Sequence, residues 1–215
     1  MNRVLVVFLA MVVSACSAPE PAVDGFGDGA QKLRVVNRKA TRTPDRTGGV
    51  RLSAAPGNGV AWIEGSDFRG GAIEVDVRGQ SSTGQSSIGV AFHRKGDDSY
   101  EAVYLRPLNF RAADPAERQH AVQYISLPAY DSPRLRSDFP EQFENPVDSS
   151  VDPAGWVKLR VAVDPFKLQI FVGSATQPTL EVRKLGELDG GQVGLWVGSD
   201  SGGDFANLVI KPTQP

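Results

Sequence analysis

Apolar residues recur at every second position along most of this chain, and the segments that show this are separated by Gly, Pro, Asp and Asn. A period of two puts alternate side chains on opposite faces of an extended strand, whereas an amphipathic helix needs a period of about 3.6, which is almost absent here. Ile73, Val75 and Val77 alternate with Glu74, Asp76 and Arg78. Val157, Leu159, Val161 and Val163 alternate with Lys158, Arg160 and Ala162, and Val193, Leu195 and Val197 with Gly194, Trp196 and Gly198. Further strands are predicted over 33–36, 50–54, 59–64, 88–94, 100–106, 121–127, 167–172, 179–182 and 204–211. About a dozen short strands, each with one apolar face, specify an all-β domain closed as two stacked antiparallel sheets. The expected architecture is a jelly-roll sandwich.

The strand pattern occupies residues 32–215 as one domain, and the residues before it read differently. Asn2 and Arg3 give a short positive start, residues 4–13 are apolar, and Val13-Ser14-Ala15-Cys16 places small residues just before a cysteine. Residues 1–15 resemble a bacterial lipoprotein signal, which implies that Cys16 becomes the lipidated N-terminus and anchors the chain to a membrane. An ordinary secretory signal with a coincidental cysteine is the alternative. In enteric lipoproteins an aspartate after the cysteine favours the inner membrane; Ser17 here implies the outer membrane of the cell envelope. Residues 16–31, rich in Ala, Pro, Gly and Asp, read as a flexible tether. Cys16 is the only cysteine, so the fold contains no internal disulfide and depends on its apolar core.

Charge excludes one class of partner. With 23 basic and 25 acidic residues and no run of Lys or Arg, the chain lacks the basic stripe that nucleic acid demands.

The densest polar information lies between Ile88 and Ser126. Period-two bookkeeping puts Gly89, Ala91 and His93 on one face of the first strand there, with Tyr100, Ala102, Tyr104 and Arg106 on the same face of the second and His120, Val122, Tyr124 and Ser126 on that of the third. Small residues leave room, while His, Tyr and Arg supply hydrogen bonds and flat surfaces, the combination a sugar ring requires. The opposite, apolar face then contains Glu101 and Gln123, which must either bond each other or mark a bulge; a one-residue slip exchanges Gln123 for Tyr124. The ligand-binding candidates are His93, Tyr104, Arg106, Asn109, His120, Gln123, Tyr124 and Arg136. A solvated face with tyrosines packed beneath a loop is the alternative. Long connections over 107–119 and 128–155 flank this region, with helical turns expected over 113–118 and 140–143.

Several stretches carry a family resemblance: Gly70-Gly71-Ala72-Ile73-Glu74-Val75-Asp76-Val77, Ile88-Gly89-Val90-Ala91-Phe92-His93, Gly194-Leu195-Trp196-Val197-Gly198 and Asp204-Phe205-Ala206-Asn207-Leu208. They resemble the concanavalin A-like lectin and glucanase superfold. Tyr100-Glu101-Ala102-Val103-Tyr104-Leu105-Arg106 and His120-Ala121-Val122-Gln123-Tyr124-Ile125-Ser126 are similar to laminin G-like and 3-keto-disaccharide hydrolase-like bacterial domains. The resemblance implies an extracytoplasmic role with saccharides, by binding or by turnover.

The jelly-roll glucanases carry Glu-x-Asp-x-x-Glu on one strand; here Glu74 and Asp76 match, but Gly79 replaces the third carboxylate. A retaining mechanism needs two carboxyl groups, so that strand lacks its acid partner. The remaining catalytic candidates are His120, as a general base, and Glu144, with Arg106 or Arg136 stabilising an enolate. No Ser or Cys nucleophile motif and no phosphate loop is present. Two distant histidines argue against zinc, no cofactor is expected, and a structural calcium would have to draw on Asp97, Asp98, Asp189, Asp200 or Asp204. Three functions remain open: a lipid-anchored carbohydrate-binding domain, a hydrolase or lyase of keto-sugars or related disaccharides, and a structural or protein-binding envelope lipoprotein.

Overall fold

The computed structural model describes residues 25–27, 31–80 and 86–213. Cys16, the signal segment and most of the tether lie outside the described residues. The strands, in chain order, are β1 (Gly25–Phe26), β2 (Gln31–Val36), β3 (Ala40–Arg42), β4 (Val50–Leu52), β5 (Gly59–Ile63), β6 (Gly71–Gln80), β7 (Ile88–Gly96), β8 (Ser99–Leu105), β9 (Val122–Ser126), β10 (Glu144–Asn145), β11 (Val157–Val163), β12 (Lys167–Val172), β13 (Leu180–Arg183), β14 (Gln192–Val197) and β15 (Gly202–Pro212). They form two antiparallel sheets, ordered β1-β2-β5-β14-β7-β8-β9-β10 and β13-β12-β11-β6-β15-β4-β3. The expected jelly-roll sandwich is the observed one. β1 falls inside the segment read as tether: it pairs with β2 and buries Phe26, so ordered structure starts before residue 32.

The core lies between the sheets. Ile73, Val75 and Val77 of β6 pair with Val161, Leu159 and Val157 of β11 and share one buried face, as the alternation predicts. Ile88, Val90, Val103, Leu105, Val122, Leu195 and Val197 supply the opposing layer and are fully buried. Each such side chain contributes about 1.5–3 kcal/mol by leaving water, which is how a fold without disulfides holds together.

Two polar residues assigned by sequence to the outer face belong instead to this core. Arg94 of β7 pairs with Gln192 and Ala91 with Gly194, so Phe92 and His93 stand opposite the single residue Val193. That is a β-bulge, with His93 in the left-handed region at φ 55°, and it turns both side chains inward. The second correction is one of phase. Cα partners share a face, and Tyr104 pairs with Gln123 while Val103 pairs with Tyr124; Gln123 therefore faces outward and Tyr124 inward. His93, Glu101 and Tyr124 are all fully buried. The Glu101 carboxylate bonds the His93 ring through one oxygen and accepts from the Tyr124 hydroxyl through the other, and Lys184 Nζ lies 3.8 Å away. Burial first, and then the Glu101 charge, push the Tyr124 hydroxyl well above its ordinary range, so it stays a donor.

The long connections contain two short helices, α1 (Pro115–Gln119) and α2 (Ser132–Asp138), and the turn expected over 140–143 is present, closed by Gln142 N donating to the Phe139 carbonyl at 3.2 Å, but it is not helical because Glu141 sits at φ 62°. Both have an aspartate at the N-cap and Pro in the first turn, the usual start signal. Asp131 accepts from the Arg134 amide at 2.9 Å, and α2 packs on β9.

Candidate functional site

The outer face of the larger sheet carries the site. Val36, Val60, Trp196, Gly89, Tyr104, Gln123 and Glu144 are successive Cα partners across β2, β5, β14, β7, β8, β9 and β10, and so form one straight row. The next row runs Arg34, Trp62, Gly194, Ala91, Ala102 and Ile125. Small residues occupy the middle of both. At Gly89 a Cβ would collide with the Val103 carbonyl, and at Gly194 with the Trp62 ring. The space is taken by aromatics: the Tyr104 and Trp196 rings pack at 4.6 Å, Trp196 Nε1 donates to the Tyr100 hydroxyl at 3.1 Å, and Tyr100 stands edge-on to Trp62 at 5.4 Å.

At one end of this band the face opens into a trough of about 440 Å³. Val36, Val60 and Tyr100 line its floor, and Asn37, Asn58, Asp97, Asp98 and Asp131 its rim. The rim is fastened. Asn37 Nδ2 donates to the Pro56 and Asn58 carbonyls at 2.8 and 3.0 Å, and Arg38 Nη2 to those of Gly57 and Gly198 at 2.6 and 2.7 Å. Asp97 is held by Arg34 and by Arg94, which keep its carboxyl below the usual range. The exposed Asp98 carboxylate takes no hydrogen bond from the described residues.

The other end of the row is a polar cluster. Gln123 Oε1 accepts from the Tyr104 hydroxyl at 3.0 Å, from Arg106 Nη2 at 2.9 Å and from Arg136 Nη2 at 3.2 Å. Arg106 also donates to the Tyr104 hydroxyl at 2.8 Å and to the His120 carbonyl at 2.9 Å. Buried Glu144 holds Arg136 Nε at 3.1 Å and lies 2.7 Å from His120 Nδ1. Burial lowers the Arg106 guanidinium below its ordinary value, and neighbouring Arg136 adds to this against Tyr104 and Glu144. Chemically, the cluster offers an imidazole next to a carboxylate and beside two guanidinium groups, the residue types of a general base with electrostatic stabilisers.

Of the sequence candidates, the fold brings together Tyr104, Arg106, His120, Gln123, Arg136 and Glu144. His93 and Tyr124 lie in the core, on the far side of the sheet. Asn109 sits in a 3₁₀ turn and donates to the Glu117 carbonyl at 2.7 Å, tying the β8–β9 connection rather than facing the row. Trp62, Trp196, Asn37, Asn58 and Asp131 are not among the sequence candidates, and Asp98 is there only as a calcium candidate. One signal was present: Trp196 falls on the strand phase opposite the core, a costly place for a large aromatic unless that face is also covered or binds something. Glu74 and Asp76 belong to the other sheet and are paired with Lys211 and with Arg46 and Lys158. Among the described residues no group of three or more His, Cys, Asp or Glu is placed to hold a metal ion. Of the calcium candidates, Asp97, Asp189 and Asp204 are bound to basic side chains.

No protein-family model matches the sequence, and no curated protein matches it. Solved structures do match. The carbohydrate binding module CBM66 from Bacillus subtilis superposes with a TM-score of 0.60 at 12% identity, covering 87% of this chain and 98% of that one. A beta-glucanase from Bacillus licheniformis gives 0.53 at 14% identity, covering 90% and 92%. A protein of unknown function with a galectin-like fold, also from Bacillus subtilis, gives 0.51 at 15% identity, covering 82% and 87%. The fold is the concanavalin A-like jelly roll. At these identities the likeness extends to architecture alone.

Proposed function

We propose that this chain is a carbohydrate-binding protein whose ligand lies in the trough at the end of the buried aromatic row. The observation that carries the reading is the meeting, in one cavity, of the Tyr100 side chain, 2% exposed, two rim asparagines and the Asp98 carboxylate, which takes no hydrogen bond from the described residues. A sugar presents hydroxyls to polar groups and an apolar ring face to an aromatic, and a fastened rim lowers the cost of ordering around it. The solved neighbours that include a carbohydrate binding module and a beta-glucanase lend support. A hydrogen bond to a charged group contributes about 1.5–3 kcal/mol, so Asp98→Ala weakens binding about tenfold or more without changing the melting temperature. The measurement is an oligosaccharide array followed by calorimetric titration; no bound saccharide, or full affinity in Asp98→Ala, refutes the reading.

The His120–Glu144 pair favours a second reading, hydrolysis or elimination on a keto-sugar glycoside, which turnover surviving His120→Ala would remove. For location we propose that Cys16 carries a lipid and holds the domain at the outer membrane, on the strength of the segment Val13-Ser14-Ala15-Cys16-Ser17. Fractionation checks this: Cys16→Ser releases the chain from membranes, and retention of that variant refutes the anchor.

A further inference from the structure

The polar cluster at the β9 end of the row has an unbalanced charge. Arg106 and Arg136 both place an Nη2 within 3.2 Å of one oxygen, Gln123 Oε1, although two like charges at that separation repel. Glu144 is the carboxylate hydrogen-bonded within the cluster among the described residues: it accepts from Arg136 Nε, while His120 Nδ1 lies 2.7 Å from it without hydrogen-bond geometry. Among the described residues Arg106 donates to neutral acceptors alone: a carbonyl, a hydroxyl and the Gln123 amide oxygen. The orientation of Gln123 is fixed, because turning its amide over would aim an N–H donor at both guanidinium groups. Its Nε2 is consequently buried without a partner, a costly state for an amide. One guanidinium more than the single carboxylate, and an orphaned donor, in one cluster whose His120 and Arg136 side chains are 31% and 35% exposed, are complementary to an oxyanion.

We propose that Arg106, Arg136 and Gln123 form a subsite for an anionic group on the saccharide, so that the ligand is an acidic glycan carrying a carboxylate or a sulfate ester. The proposal rests on the carbohydrate reading and gives it a substrate class. The anionic residue lies at the β9 end of the row and a neutral part of the chain lies towards the trough. The guanidinium pair binds the oxyanion as a fork beside the part-exposed His120.

Calorimetric titration of the full-length protein with three matched oligosaccharides tests this: neutral, uronic acid-containing and sulfated. The wild type binds one of the two anionic forms about tenfold or more tightly than the neutral form, and the preference shrinks as salt rises. Arg136→Gln removes the preference to within about twofold while neutral binding persists, and Arg106→Gln, checked for an unchanged melting temperature, does the same. A carboxylate preference or a sulfate preference each supports the subsite and names its ligand. Equal affinity for neutral and anionic forms, or a preference that survives both substitutions, overturns the subsite and leaves the carbohydrate reading standing. Failure of all three to bind overturns both.

Discussion

A histidine beside a glutamate occurs twice in this chain, as His93–Glu101 in the core and as His120–Glu144 on the outer face. Residue chemistry is the same in both, and surroundings separate them. His93 is fully buried between Phe68 and Phe92, with Nε2 sealed from solvent and without a partner, so no substrate reaches it. Its glutamate is needed structurally, because it also takes the Tyr124 hydroxyl, and a buried carboxylate without such donors would be very costly. His120 has only its Nδ1 against Glu144, and about a third of the side chain meets solvent, which leaves the other ring nitrogen for a ligand. General base catalysis is worth about 10²–10⁴ in rate. If a keto-glycoside is turned over, His120→Ala lowers kcat by about that factor, and Glu144→Gln, which keeps the imidazole but removes the charge beside it and beside Arg136, lowers it less. Steady-state kinetics beside a thermal melt separates this from unfolding, and equal kcat in wild type and His120→Ala overturns the assignment.

At the scale of elements, alternation disclosed which segments are strands but not how their faces line up. The pattern in β6 and β11 reads correctly because apolar and charged residues alternate without interruption and the register is regular. β8 and β9 are separated by a long connection, and nothing in β9 alone says whether Gln123 or Tyr124 shares a face with Tyr104; both faces of the sheet are covered by aromatics, so the polarity contrast that fixes phase is lost. The bulge at His93 inverts the phase within one strand, for a reason that lies in the neighbouring strand β14. The candidate site is therefore legible in part. Tyr104, Arg106, His120, Gln123, Arg136 and Glu144 were readable as costly polar residues in or beside the long connections, and the fold supplied their convergence. The trough was not readable, because Asn37, Asn58, Asp98 and Asp131 are ordinary turn and cap residues that only the sheet brings together.

Taken as a whole molecule, the sandwich has two unlike outer faces. That of the smaller sheet closes its charges on itself. Asp204 holds Arg51 and Arg78, each at 2.7 Å, Arg78 also reaches Asp45 at 2.6 Å, and Asp76 holds Arg46, Lys158 and Asn207 at 2.7, 3.0 and 2.7 Å. Trp156 lies between the Arg46 and Arg78 guanidinium groups, at 4.4 and 4.7 Å. A face satisfied in this way offers little to a ligand, whereas on the larger sheet Asp98 and Gln123 Nε2 have no hydrogen-bond partner among the described residues. Acid acts on the closed face through Asp76. Burial pushes the Asp76 carboxyl up, but hydrogen bonds from Asn207, Lys158 and Arg46 together outweigh it and leave the group below its ordinary value. The unfolded chain then takes up a proton, near the free aspartate value of about 3.9, that the folded chain still refuses. Stabilisation from Asp76 is therefore complete above that value and is lost as pH falls through the lower folded value. Calorimetric melting should stay level from about pH 7 to about pH 5 and fall below about pH 4, with a shallower acid decline in Asp76→Asn. An acid limb equally steep in Asp76→Asn and wild type would show that the Asp76 pairings add nothing to the fold's resistance to acid.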